Sequence, residues 1–331
     1  MKVLFIGGTG IISSACTALA AQQGVDLYLL NRGTSASARP APAGVTQLHA
    51  DLHDEAALTQ VLAGHSFDAV VNWIAFTPEQ VEADLRVFRG RTAQYVFISS
   101  ASAYQTPPAS LPILESTPLR NPHWAYSRDK IACEERLTRA YREEGFPVTV
   151  VRPSHTYDRT LLPMDGGYTV VQRMRQGKRV VVHGDGTSLW TLTHHRDFAV
   201  GFLGLIGNPH AVGESYHITG DEVLTWNQIF ETVARAAGAE FRPVYLPSDL
   251  IAAYDAAWGA GLLGDKAHSM VFDNSKVRRA VPAFRPVIPF ARGAEEIMAW
   301  YDADPARQVV DAALDRRMDD MIAAYDRAWP L

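Results

Sequence analysis

Short apolar runs alternate with helical stretches along the first half of the chain. Residues Val3 to Ile6 are continuously apolar and stop at Gly7-Gly8, the pattern of a short strand buried on both faces. Residues 14–23 have helical character and end at Gly24. "DLYLLN", "GVTQLHADL", "FDAVVNWIAF", "QYVFISSAS" and "PVTVVRPS" read as strands two to six. Helices are predicted between them over 55–63, 78–88 and 126–144. Such alternation predicts parallel pairing through right-handed crossovers, hence an α/β doubly wound, mostly parallel sheet. After Arg152 the alternation weakens. "RVVVHGDG", "ESYHITG" and "EFRPVYL" read as further short strands of a smaller C-terminal α/β lobe, with some chain returning to the main sheet. "TSASARPAPAG", beside the second strand, reads as a mobile Pro/Ala/Ser loop.

Composition narrows the class. At 331 residues, 47% hydrophobic and 20% charged, the chain has ample material for one or two cores. A net charge of -5 argues against nucleic-acid or membrane-surface partners. Cys16 and Cys133, each in a predicted helix, form neither a disulfide framework nor a metal cluster. They are expected as buried thiols in a reducing cytoplasm. The "VLFI" run is too short for the core of a secretion signal, and no run approaches ~18 apolar residues, so no membrane span is expected.

The candidate chemistry begins at Gly7-Gly8-Thr9-Gly10-Ile11-Ile12-Ser13, between a strand and a helix. Gly7 permits a tight turn. Gly10 lets the backbone approach a pyrophosphate, which a helix N-terminus then favours. Ser13 stands where a third glycine commonly serves packing, and it can cap the helix. A glycine turn without a ligand is the competing account. The second strand ends at Asn31-Arg32-Gly33, where an acidic residue would hold a ribose 2'-hydroxyl. Asn31 does not repel a 2'-phosphate and Arg32 can attract one, so the preference leans to NADP over NAD; Arg32 is equally an ordinary loop charge. Asp51-Leu52 ends the third strand where an adenine ring would lie.

"WAYSRDK" places Tyr126 and Lys130 four apart, on one helix face. Ser100 ends the fifth strand, at the carboxyl edge that faces the ligand crevice of a doubly wound sheet. Removing hydride from a secondary alcohol needs a base for the hydroxyl proton. A free tyrosine has a pKa of about 10; a Lys130 ammonium and an oxidised nicotinamide would favour its phenolate. Tyr126 would serve as base, or as acid in reverse, with Ser100 on the same substrate oxygen and Lys130 also on the nicotinamide ribose.

With these residues the chain resembles the extended short-chain dehydrogenase/reductases, the group of sugar-nucleotide epimerases and dehydratases. The resemblance covers nearly the whole chain and rests on "GGTGIIS", "FISSASAYQ", "YSRDK", "VVRPSHTYD", "VHGDGTSLWTLTHHRDFA", "FDNSKVRR" and "GAEEIMAWY". It implies a Rossmann domain over 1–153 with returning segments near 194–224, and a substrate lobe from 154–193 and 225–331. It implies catalysis by Ser100, Tyr126 and Lys130. The cofactor would be held by Gly7, Thr9, Gly10, Ile11, Ile12, Ser13, Asn31, Arg32, Asp51, Leu52, Ala75, Tyr126 and Lys130, with nicotinamide contacts from Pro153, Ser154 and His155. The substrate would meet Ser100, Ser102, His155 and Trp190. A homodimer through helices near 78–90 and 126–144 is also implied; Val81, Leu85 and Phe88 lie there at helical spacing, which equally suits packing on the chain's own sheet.

Departures from the family bear on the substrate. Trp190 stands where sugar-nucleotide members carry an arginine for the diphosphate; its apolar face suits stacking on a sugar or aromatic ring. His155 and Asp158 replace a common asparagine and glycine. His155 is either a substrate donor or relay, or a structural hydrogen-bonding group between lobes. His194 and His195 are adjacent and would alternate on a strand, so no metal site is expected. Ala101-Ser102 follow Ser100 where dehydratases carry Asp-Glu, which disfavours dehydration. The expectation is an NAD(P)-dependent oxidoreductase or epimerase of the cytoplasm acting on a sugar-like hydroxyl or ketone. A carbonyl reductase of a non-sugar metabolite and a non-catalytic dinucleotide- or RNA-binding relative are the alternatives.

Overall fold

The computed structural model describes residues 1–33, 39–52 and 54–328; residues 34–38 of the "TSASARPAPAG" loop lie outside the described residues. The strands are β1 (Lys2–Ile6), β2 (Asp26–Asn31), β3 (Thr46–His49), β4 (Ala69–Asn72), β5 (Tyr95–Ile98), β6 (Val148–Pro153), β7 (His155–Tyr157), β8 (Val180–His183), β9 (Leu189–His194), β10 (Ser215–Ile218), β11 (Val223–Thr225) and β12 (Pro243–Leu246). The helices are α1 (Ser13–Gln22), α2 (Glu55–Val61), α3 (Pro78–Phe88), α4 (Ala125–Glu144), α5 (Tyr168–Arg175), α6 (His195–Leu203), α7 (Trp226–Ala236), α8 (Ser248–Tyr254), α9 (Ala256–Gly261), α10 (Ser275–Ala280), α11 (Phe290–Asp302) and α12 (Ala312–Ala328).

A seven-stranded sheet runs in the order β10-β6-β5-β4-β1-β2-β3, and all its pairs are parallel. Its continuous apolar strands follow from burial on both faces. Val3 and Phe5 of β1 enter one core cluster with α1 and α6; Leu4 and Ile6 enter the opposite one with α3 and α4. A third core gathers later segments around β8, β9, α7 and α11. β10 returns from the late chain to the edge of the main sheet.

All six early strands form where the apolar runs lie. The third is shorter than its run because it is a mostly exposed edge strand. β7, β9 and β11 were not anticipated. Two of them have three residues, too short for a periodic signal, and β9 carries polar residues in an otherwise buried strand. Local chemistry sets the helix ends. Asp54 caps α2 through the Ala56 and Ala57 N–H groups, at 3.0 and 2.9 Å. Pro78 opens α3, with Gln80 Oε1 accepting the Thr77 N–H at 3.2 Å. Gly145 ends α4 at φ +68°.

The stripe of Val81, Leu85 and Phe88 is fully buried against the chain's own sheet. It therefore presents no apolar face to a second copy. An ion pair joins α3 and α4, Arg136 to Glu82 at 2.8 Å, and Arg136 also pairs within α4 with Glu144 at 2.9 Å. Cys16 and Cys133 are buried free thiols in α1 and α4. Among the described residues, no helix is long and apolar enough to cross a membrane.

Candidate active site

The glycine turn leaves β1 through two left-handed residues, Gly7 at φ +97° and Gly8 at φ +104°. Side chains are strained there, and a Cβ on Gly8 would lie 2.6 Å from Leu29 Cδ2. Ser13 does not cap the helix. It is the first residue inside α1, so its hydroxyl turns back and accepts the Gly10 N–H at 2.8 Å. The cap position is Ile12, which makes no side-chain cap bond, although the Ser14 N–H is met by Gly10 O at 3.0 Å. An uncapped helix start favours an anion such as a pyrophosphate. His195, at the start of α6, places Nδ1 3.2 Å from Ile11 O, bracing the turn from a late segment.

Beyond the turn opens a cavity of about 1210 Å³. Thr9, Asn31, Arg32, Asp51, Leu52 and Ala75 line it. Gln47, His49, Asn72 and Phe76 also line it and carried no signal in the sequence. Asn31 Oδ1 accepts the Gly33 N–H at 2.9 Å and lies 3.1 Å from His49 Nδ1, while Arg32 is exposed at the rim. Of the glycine turn only Thr9 lines it; Gly7, Gly10, Ile11, Ile12 and Ser13 do not, and the volume fits an extended dinucleotide.

Lys130 is buried beside Ala75 of this cavity, one turn along α4 from Tyr126, which lines a second, smaller one. Its ammonium donates to Ala75 O at 2.7 Å and Ile98 O at 2.8 Å, and sits 4.5 Å from the Phe76 ring centre. Burial lowers Lys130 to a pKa of about 8. Tyr126 stands one turn earlier on α4, its ring centre 5.8 Å from Lys130 Nζ. Burial raises the Tyr126 phenol, against the downward pull of its hydrogen bond with Ser100, and the Asp265 charge raises it further. The phenol thus carries its proton; the phenolate is expected of Lys130 together with an oxidised nicotinamide. Two of the three lysine N–H groups go to carbonyls.

The smaller cavity, about 250 Å³, brings Ser100, Ser102, Tyr126, Pro153, Ser154, His155 and Trp190 together. Ser102 is buried, with its Oγ 2.9 Å from Ser100 Oγ and accepting from Ser127 Oγ at 2.8 Å. His155 Nε2 is buried without a hydrogen-bond partner, so the structural bond considered for this ring is not made by that nitrogen. Burial, helped by the Lys266 charge, pushes His155 down to about 3, so the ring is neutral. Trp190 is only 3% exposed, and its ring packs on Trp226 with centres 5.4 Å apart. Its indole is therefore a core element; the stacking face expected for substrate is shared with protein, and its Nε1 lacks a partner.

Other singled-out residues are structural. Asp158 accepts from Arg39 at 2.6 Å and from Thr160 Oγ1 at 2.7 Å. His194 Nε2 lies 3.2 Å from Glu296 Oε2. Among the described residues, no three His, Cys, Asp or Glu side chains are grouped to hold a metal ion. Sequence reasoning missed Asp265 and Lys266, which enter the small cavity from a π-helical turn, Leu262–Lys266.

A parallel sheet whose first strand runs through a glycine turn into a helix, beside a dinucleotide-sized cavity, defines a Rossmann-type nucleotide-binding protein. More narrowly, the chain belongs to the NAD dependent epimerase/dehydratase family, whose sequence profile matches residues 3–219. It is 25% identical over 296 residues to the 2'-dehydrokanamycin reductase of Streptomyces kanamyceticus, covering 86% of this chain and 80% of that protein. It is 26% identical over 253 residues to the chloroplast stem-loop binding protein of 41 kDa b of Arabidopsis thaliana, covering 72% of this chain and 63% of that one. In fold it is similar to the UDP-glucose 4-epimerase of Bifidobacterium longum solved with NAD+ and UDP, at a TM-score of 0.72 and 19% identity over 92% of this chain and 99% of that chain.

Proposed function

We propose that this chain is an NADP-dependent reductase that interconverts a ketone and a secondary alcohol on a sugar-like substrate. The observation that carries the proposal is the position of Lys130, tethered to Ala75 of the large cavity, with Ser100 and Tyr126 lining the small one. A nicotinamide bound across that junction supplies or accepts the hydride. Tyr126 gives its phenolic proton to the carbonyl oxygen during reduction and takes it back during oxidation. Ser100 hydrogen-bonds the same oxygen. The remaining Lys130 N–H reaches a ribose hydroxyl. Arg32 and Asn31 at the rim, with no carboxylate at the end of β2, favour a 2'-phosphate.

Two observations favour reduction over epimerisation of a nucleotide sugar. No arginine lines the small cavity among the described residues. The similarity to a 2'-dehydrokanamycin reductase extends along most of both chains. The test is stoichiometry. Incubation with NADPH and a panel of ketosugars should consume one NADPH for each alcohol formed. Tightly retained cofactor, with epimerised product and no net consumption, would assign an epimerase instead.

A further inference from the structure

We propose that Asp265 is a substrate-binding carboxylate that holds a protonated amine on the sugar-like substrate, beside the carbonyl that Tyr126 protonates. This rests on the assignment of the small cavity as the substrate site.

Asp265 is presented by a π-helical turn directly after α9, an irregularity frequent at functional sites. The turn is clamped to the reacting residues. Buried Asn121 donates through Nδ2 to Ser102 O at 3.0 Å and to Gly264 O at 2.6 Å, and its Oδ1 accepts the Trp124 N–H at 3.1 Å. Gly264 packs so closely that a Cβ there would lie 2.8 Å from Trp124 Cβ. Asp265 is thereby fixed relative to Ser100 and to the start of the Tyr126 helix, near enough for its charge to act on the phenol.

Its carboxylate has no hydrogen-bond partner among the described residues, although it lines the cavity. Lys266 is the one cation in the lining, and it is shared: its Nζ lies 3.7 Å from Asp165 Oδ2. Lys266 is thus drawn to a carboxylate outside the lining, and His155 is neutral. Asp265 is left as the unpartnered acidic group of the cavity, which a cation would meet and a diphosphate would oppose. Burial raises Asp265 to about 7, and a bound ammonium would hold it ionised.

About 250 Å³ lies below the range of roughly 300–1,000 Å³ for drug-sized ligands, so the cavity suits one ring.

The test is calorimetric titration of the NADP-saturated protein with glucosamine, glucose and N-acetylglucosamine. A hydrogen bond to a charged group corresponds to roughly 10- to 100-fold in affinity, so glucosamine should bind that much more tightly than either neutral sugar. Asp265→Asn should remove the preference while leaving NADP affinity unchanged. Equal binding of the three sugars by the native protein, or no binding of glucosamine, overturns the assignment. So does a preference that survives Asp265→Asn. NADPH binding and NADPH-dependent ketone reduction are measured separately; if both hold while the amine preference is absent, only the amine assignment falls.

Discussion

Ser100 accepts the Ser102 N–H at 3.2 Å, and Ser127 Oγ donates to Ser102 Oγ. Ser102 can then pass its own proton to Ser100, which in that arrangement leaves the Ser100 proton free to point at Tyr126 or at the substrate oxygen. Ser102→Ala removes that orientation. One hydrogen bond sets the scale, so kcat should fall by up to about tenfold while the KM for NADP stays constant. A lowered melting temperature with unchanged kcat would show Ser102 to be only a packing residue. Lys130 adds a pH dependence. It is charged below its pKa of about 8 and neutral above it. Its charge favours the phenolate left when Tyr126 gives up its proton, so kcat/KM for ketone reduction should be flat below about 8 and fall above it. Lys130→Met, slower throughout, should lack that break. At this scale the sequence disclosed Ser100, Tyr126 and Lys130, through a helical i, i+4 spacing and a strand end. Asn121 and Asp265 were invisible, because their roles depend on contacts such as Asn121 with Gly264, 143 residues apart.

Elements meet through a buried network under the catalytic strand. Arg152 of β6 donates from Nε to Glu134 Oε1 of α4 at 2.9 Å and from Nη1 to the Tyr104 hydroxyl at 3.1 Å. Tyr104 OH lies 3.0 Å from His217 Nδ1 of β10, and Ser99, next to Ser100, bonds Glu134. Both charges are almost wholly buried, so Glu134→Ala strands a guanidinium and should cost about 3–5 kcal/mol of stability. A urea midpoint equal to that of the native protein would contradict this. The strands themselves were legible, since apolar runs bounded by glycine or polar turns leave little choice of structure. The late three-residue strands were not, because partners distant in sequence define them: β7 exists by pairing with β9, and β11 by pairing with β9.

At the scale of the whole molecule, Lys130 and Tyr126 of one helix serve two cavities, one sized for a dinucleotide, whose Ala75 Lys130 holds, and one for a single ring, which Tyr126 lines. Doubly wound topology dictated where to look, at the carboxyl ends of the strands, but not the cavity sizes or the charge of the smaller one. NADP binding to the folded state should stabilise it by about 2.7 kcal/mol at one hundred times its Kd. NADP should also raise the melting temperature more than NAD at equal concentration; the reverse order would refute the role given to Asn31 and Arg32. The central claim is that Tyr126, in the small cavity, carries the proton. Tyr126→Phe tests it most directly, with turnover and NADP affinity measured on the same preparation. Turnover should fall about 100- to 10,000-fold, the range for loss of a general acid, with NADP affinity near the native value. Native turnover in that variant would contradict the assignment.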